Sequence, residues 1–450
     1  MRNRKIGKLE GWKIGRLEDW KIPSFRYSVP LLFLLFFLPK FSFSQEIPTY
    51  YDHIQPILQK NCLACHHTGG AGPFSLETYE SVERRADFIQ TVTESRYMPP
   101  WFADPNFNHF RNEKRLTDTE IKTIAAWVQG GKKRGKAPKK LVSHQKIEYL
   151  QPDMVIPMNK PFVIPGDRTE QFRLFVMPTN IEEELYVQGI DVRPGNLQLA
   201  HHARLMIDTT HLFRADDGAS VSDTVMQRTN WGVQMVNYFW HGWVPGNFLT
   251  LYPPGIGKRL PKDSDIVMNM HYSPSSKPDT DQSQVLLYVT KEKPRRLIET
   301  FILDESWVVN KPFRIPANQV VKFYVRSPLV PADISLINVL PHMHFLGKSF
   351  KAYAITPQGQ VINIIKIDDW NFNWQMTYQF EHLIKLPKNS VVYAEAVYDN
   401  TSNNGRNPHF PPQDATLGWG TTNEMMNLIF EYLDFEPGDE TLDLYQQPKK

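Results

Sequence analysis

The chain holds only two cysteines in 450 residues, and both lie in one short run, Cys62-Leu63-Ala64-Cys65-His66. No disulfide can brace the remaining several hundred residues once this pair is committed elsewhere, so they must fold on packing and hydrogen bonding alone. The spacing does commit the pair. Two thiols separated by two residues, with an imidazole directly after, can add to both vinyl groups of a haem while the histidine ligates its iron. A thioredoxin-like site would want a strand before the motif and a βαβ continuation. Here the sequence is polar and helical before the motif and glycine-rich after it, Gly69-Gly70-Ala71-Gly72-Pro73. A zinc site would need two more good ligands nearby, and there is no third cysteine.

Haem attachment of this kind takes place outside the bacterial cytoplasm, and the N-terminus agrees with export. Leu31 to Leu38 reads LLFLLFFL behind a basic leader and ahead of Ser42-Phe43-Ser44. That pattern predicts a signal peptide over residues 1–44, cut before Gln45, and a periplasmic or extracellular protein. The leader nearly repeats itself, Lys5 to Trp12 as Lys13 to Trp20, and an uncleaved signal anchor is the alternative. No later stretch is long and apolar enough to span a bilayer. Without residues 1–44 the chain carries 42 basic and 45 acidic residues, so the net charge of +3 belongs to the leader. Nothing in that balance calls for a nucleic-acid or anionic-membrane partner.

The length exceeds what one hydrophobic core normally organises. Residues 46–135 read as a small helical unit. Tyr51 to Leu58 leads into the cysteine motif, and Thr117 with Glu120 forms a capping box before Ile121, Ile124, Ala125 and Trp127 at helical spacing. Gly130-Gly131 then stops that helix. Residues 136–152 read as a solvated linker. Beyond it the texture changes to short Val/Ile/Phe/Tyr runs between turn clusters, such as Ile266 to Met270, Val285 to Val289, Val320 to Val325 and Val391 to Tyr398. These are antiparallel strands, expected to build two all-β sandwiches over 153–292 and 293–445.

The histidines of this β region are grouped as His201-His202, His271-Tyr272 and His342-Met343-His344. Neighbouring strand residues face opposite ways, so a His-His pair can chelate only at a strand end or bulge, whereas His342 and His344 share a face. Imidazole and imidazole-plus-thioether sets suit copper. Spacing alone also allows core or edge histidines, or part of a zinc hydrolase site.

Two resemblances narrow this. Arg96-Tyr97-Met98-Pro99-Pro100-Trp101 resembles the mono-haem cytochrome c domains of multidomain bacterial oxidoreductases. This implies an all-α domain with His66 and Met98 as the axial ligands, His67 and His109 being competitors for the second position. Ala200-His201-His202, His271-Tyr272, His342-Met343-His344-Phe345-Leu346-Gly347-Lys348 and Asn423-Glu424-Met425-Met426-Asn427-Leu428, in that order, resemble the copper type II, ascorbate-dependent monooxygenases. The resemblance runs from about residue 155 to 440. It implies two jelly-roll-like β domains, each with one copper ion. His201, His202 and His271 would hold the electron-donating copper; His342, His344 and Met425 would hold the one that meets dioxygen and substrate.

The resemblance also implies a reaction, hydroxylation of a C–H bond of a small organic molecule with O2. Electrons would come through the haem, from ascorbate, or from a periplasmic donor protein. The peptide-amidating members carry an arginine two residues before the His-x-His and a tyrosine four after the methionine. Here those positions are Leu340 and Ile429, and Asn269 replaces a glutamine. A neutral or apolar, non-peptide substrate is therefore expected. The rival expectation is a haem-copper electron-transfer or copper-binding protein without hydroxylase activity.

Overall fold

The computed structural model describes residues 47–111, 113–137, 150–221, 237–247, 249–418 and 420–442. The signal-peptide segment and most of the expected linker lie outside the described residues.

The helical part begins with a π-turn over Tyr50–Ile54 that runs into the helix Gln55–Asn61, and the cysteine motif follows at its C-terminus. Ala86–Glu94 and Asp118–Gln129 complete the packing. The last helix starts as its sequence dictates: Thr117 accepts from the Glu120 amide, and the Glu120 carboxylate reaches back to the Thr117 amide. Its apolar stripe places Ile124, Trp127 and Val128 in one core with Tyr50, Ile54, Leu58, Val82 and Ile89.

The rest is β-sheet-rich. In the first β half, one antiparallel sheet runs Gln171–Pro178, Asp265–Tyr272, Ala200–Asp208, Asn237–Trp243. A second sheet is built around Gln284–Thr290 and Leu185–Arg193. The core between them takes Val187, Ile190, Val285 and Leu287 from one sheet and Leu205, Ile207, Met268 and Met270 from the other. The second half repeats this plan. Glu299–Leu303, Asn427–Asp434, Ile334–His342 and Tyr378–Leu386 form one sheet, and Val320–Leu329, Val391–Asp399, Gly347–Ile355 and Val361–Ile367 the other. Strands such as Gly347–Ile355 alternate buried and half-exposed residues, as the face of a sandwich should.

Ile334–His342 does not alternate; every residue before His342 is buried. One face of this strand belongs to its own core through Leu336 and Val339. The other meets the first β half, where Ile337 joins Ile256 and Ile298, and Leu340 joins Phe239. Apolar packing thus fastens the two halves along this strand.

The helical part is less self-contained than its sequence suggests. Trp101, Ala103 and Phe110 leave the helical core and enter that of the second β half. Trp101 and Phe110 set their rings against Tyr378 at 5.1 and 5.3 Å, and Phe110 stacks on Phe380. Isolated bridges join Ala103 to Ile367 and Phe110 to Phe380. The sandwich offers these rings aromatic partners in Tyr378 and Phe380. Removing the Trp101 ring leaves a cavity at this seam. Trp101→Ala should cost about 3–5 kcal/mol, read as a lowered urea midpoint; an unchanged midpoint would show that the seam adds nothing to stability.

Candidate metal centre

The two adjacent histidines solve their facing problem with a bulge. The register between Ala200–Asp208 and Asp265–Tyr272 slips between Ala200 and His202, so that Ala200 pairs with Tyr272 while His202 pairs with His271. The extra residue is His201, and the local twist lets it turn toward the same side as its neighbour. His201 Nδ1 then lies 3.1 Å from His202 Nδ1, and His271 Nδ1 lies 3.4 Å from it. One ligand atom from each of the three histidines falls within 4.8 Å of the other two.

Neighbours fix the rings. Phe172 stacks on His271 at 4.0 Å, nearly parallel. The His271 Nε2 is buried without a hydrogen-bond partner, and the Glu170 carboxylate is the nearest anion at 3.7 Å. The His271 contact holds the Glu170 carboxyl below its usual range. A proton on Nε2, facing that carboxylate, leaves the Nδ1 lone pair for the cluster. Burial pushes His201 down to about 4 and His202 well below the ordinary imidazole value. Imidazoles whose Nδ1 atoms converge have little use for one another, since at most one of each touching pair can donate. They are a fitting donor set for a metal ion such as copper.

The second histidine group stands at the end of the doubly buried strand. His342 closes it, opposite Asn427, and His344 follows in the turn. His342 Nδ1 meets the Gln375 side-chain carbonyl, and His344 Nδ1 lies 3.0 Å from the Asn423 carbonyl. Both rings therefore carry their proton on Nδ1 and offer Nε2 as the lone pair. Burial pushes His342 down to about 3 and His344 to about 4. The turn is tied to the methionine segment by Glu424, a buried carboxylate that accepts from the His344 amide at 2.9 Å and the Leu346 amide at 2.6 Å. Burial pushes this carboxyl up to about 8, and Glu305, which accepts from the Met426 amide, up to about 7. Met426 is in the core, whereas Met425 is half-buried and faces a cavity.

That cavity, of about 110 Å³, brings the groups together: His202, His342, His344 and Met425 all line it. Phe372 stands between them, 6.4 Å from the His201 ring and 5.6 Å from the His344 ring. Phe172, Phe239, Leu340 and Ile429 supply apolar wall, and Asn269 is also present. Arg204 lines it too. The expectation of a neutral or apolar substrate rested on Leu340, Ile429 and Asn269 and took no account of this guanidinium. Arg204 could have been suspected, because it follows His202 by two and so shares its face. Glu170, Phe372 and Gln375 carry no such signal. His211 is engaged by Asp265 and Asp263 at 3.2 and 3.3 Å, away from either group.

Around the cysteine motif, Cys62 and Cys65 are free thiols. His66 Nδ1 lies 3.0 Å from the Phe74 carbonyl, which leaves Nε2 as the ligand atom. The glycines downstream make the close passage of the chain possible: a Cβ on Gly72 would sit 2.6 Å from His66 Nδ1. Met98 is half-buried beyond the Ala86–Glu94 helix, its amide donating to the Val92 carbonyl at 3.0 Å. The two thiols and the Nε2 of His66 are the groups that would hold a covalent haem.

Comparison with known proteins agrees with part of this. Residues 321–440 match the family model for the copper type II ascorbate-dependent monooxygenase C-terminal domain. That span includes His342, His344 and Met425 and excludes the three-histidine cluster. No curated protein matches the chain. Solved structures with related outlines include the major capsid protein P2 of bacteriophage PM2, at 9% identity, TM-score 0.24, 64% of this chain and 99% of that one. Another is PNGF-II, at 10% identity, TM-score 0.25, 62% of this chain and 65% of that one. At such scores neither bears on function.

The depressed imidazoles make stability pH-dependent. Each takes up its proton first in the unfolded chain, so its contribution is fully present above about pH 6.5 and is lost as the pH falls toward about 4. Glu424 and Glu305 act in the opposite sense, their penalty growing as the pH rises from 4.5 through about 7 to 8. Comparing variants separates the two. For the metal-free chain, the fall in melting temperature between neutral pH and about pH 4 should be smaller in His342→Asn than in the wild type. Equal slopes would remove His342 from this account.

Proposed function

We propose that this chain is an exported copper-dependent monooxygenase that hydroxylates a C–H bond of an organic, non-peptide substrate with O2. The observation that carries the reading is the single cavity lined by His202 on one side and by His342, His344 and Met425 on the other. The match of residues 321–440 to the monooxygenase family supports it.

In this reading His201, His202 and His271 hold one copper ion, and His342, His344 and Met425 hold a second. The metals supply one-electron redox chemistry and dioxygen activation, with the thioether of Met425 favouring the cuprous state of its site. The chain's own residues do the positioning. Gln375 and the Asn423 carbonyl orient the two imidazoles through their Nδ1 protons. Glu424 holds the turn that carries His344 against the strand entrance that carries Met425. Phe172, Phe239, Leu340, Phe372 and Ile429 keep water from the reacting carbon, and Arg204 gives the substrate one polar contact. Cys62, Cys65 and His66 would hold a covalent haem, with Met98 as a further ligand, and that group would supply one-electron transfer from ascorbate or a periplasmic donor protein.

Metal and haem analysis with product detection tests the reading. The secreted full-length protein should hold two copper ions per chain and a haem stain that survives acid–acetone extraction. Reduced wild-type protein should show a copper–sulfur contribution in X-ray absorption that Met425→Ala lacks and His201→Ala retains. Incubation with O2, ascorbate and a panel of small organic molecules should give a singly oxygenated product. Copper and haem without any oxygenated product would make the protein an electron carrier instead, and protein without stoichiometric copper would overturn the reading altogether.

A further inference from the structure

The strand Asn237–Trp243, which edges the three-histidine sheet, ends in a tight turn. Asn247 donates to the Val244 carbonyl at 3.0 Å, with Pro245 and Gly246 between them and Gly246 at φ +82°. Proline followed by a positive-φ glycine inside a four-residue hydrogen-bonded loop is a type II turn. Only glycine adopts that backbone without strain, but a second constraint also applies. A Cβ on Gly246 would lie 2.8 Å from Cys65 Sγ and 3.0 Å from Lys114 Nζ. The turn is pressed against the second sulfur of the Cys62–His66 motif. Lys114, from the same helical part of the chain, donates to the Gly246 carbonyl at 3.0 Å and pins it there.

From that contact the chain leads straight to the metal cluster. Val244 is buried, and Trp243 pairs in register with Ala203, the residue after His202. Trp243 also lines the cavity that His202 lines. Three Cα steps of 3.8 Å and one inter-strand step of about 4.8 Å bound the backbone path from Gly246 to Ala203. Beside the turn lies a second cavity of about 340 Å³, lined by Ala64, Lys114 and Gly246 among others. Electron tunnelling decays much faster through such open space than through bonded and hydrogen-bonded atoms.

We infer that the Val244–Asn247 turn is the electron relay from the Cys65 thioether to the three-histidine site, with Gly246 as the contact and Lys114 as its positioning residue. The inference rests on the function proposed above. The step is one electron: a ferrous haem iron becomes ferric, and a cupric ion held by His201, His202 and His271 becomes cuprous. No bond forms or breaks, and an external reductant such as ascorbate restores the haem. Glycine is required because a side chain there would part the turn from the sulfur.

Flash photoreduction of the full-length, haem- and copper-loaded protein tests this, with haem absorbance followed as the electron moves on. The wild type should show a concentration-independent reoxidation phase that disappears in His201→Ala. Gly246→Val and Lys114→Met should each slow that phase, the former by an order of magnitude or more, while the haem spectrum and the electron paramagnetic resonance of the three-histidine copper stay as in the wild type. If Gly246→Val fails to attach haem, Lys114→Met alone carries the comparison. A wild-type rate in every variant that holds both groups, or a phase that persists in His201→Ala, overturns the relay and leaves the proposed function standing. A wild-type chain that never acquires covalent haem overturns both.

Discussion

A strand buried on both faces has to satisfy two cores at once, and Ile334–His342 does so without help from any cross-link. Leu336 and Val339 are committed to one sandwich, and Ile337 and Leu340 to packing against the other β half. A shift of one residue along this strand would exchange those sets and expose the wrong face to each core. Its register is therefore fixed by apolar packing, and His342 at its end inherits that precision. Disulfides are one way to secure β-domains. Here the free thiols lie elsewhere, and the same task falls to close packing, which tolerates little displacement.

Charge is used sparingly around this apolar frame, and where it is buried it is engaged. Lys258 is buried between the Glu431 carboxylate and the Trp240 carbonyl, and Asn338 completes the carboxylate at 2.6 Å. This small polar knot spans both β halves. Breaking one member would leave an uncompensated buried charge, so the knot specifies how the halves meet more than it adds stability. Glu424 plays a comparable part nearer the site, where two backbone amides, not a cation, face it. Its burial raises its pKa even so, which means that desolvation outweighs the amides.

Much of this could be read from the chain before its structure, because the relevant signals are local. The Thr117–Glu120 capping box, the glycine stop after Gln129 and the strands at Ile266, Val285, Val320 and Val391 follow from residue type and period. The grouping of histidines was legible too, and so was the requirement that His201-His202 sit at an irregularity. The bulge itself was not, since nothing near Ala200 in the sequence announces one. Long-range partners were equally hidden. Gln375 and Glu170 sit in segments without a motif, and they matter because of which strands happen to meet. The departure of Trp101 and Phe110 from the helical core has the same origin: their partners, Tyr378 and Phe380, lie more than two hundred residues away.

The two histidine groups differ in which ring nitrogen is held, and the difference follows from the backbone each one occupies. In the first group the bulge and the direct His202–His271 pairing bring rings toward one another from adjacent strands, so the nitrogens nearest the backbone, Nδ1, converge. In the second group the histidines stand at a strand end and in a turn, where carbonyl oxygens of Gln375 and Asn423 are close enough to take the Nδ1 protons. The more distant Nε2 atoms are then the ones left with lone pairs. The first arrangement is short and stiff, because the strand pairing itself sets the spacing. The second stands on the end of the doubly buried strand and on the turn that Glu424 ties down, so packing and those hydrogen bonds set its spacing. Under the proposed function, the all-nitrogen set would suit electron transfer with little rearrangement, and the thioether of Met425 would favour the cuprous state at the centre that meets the substrate.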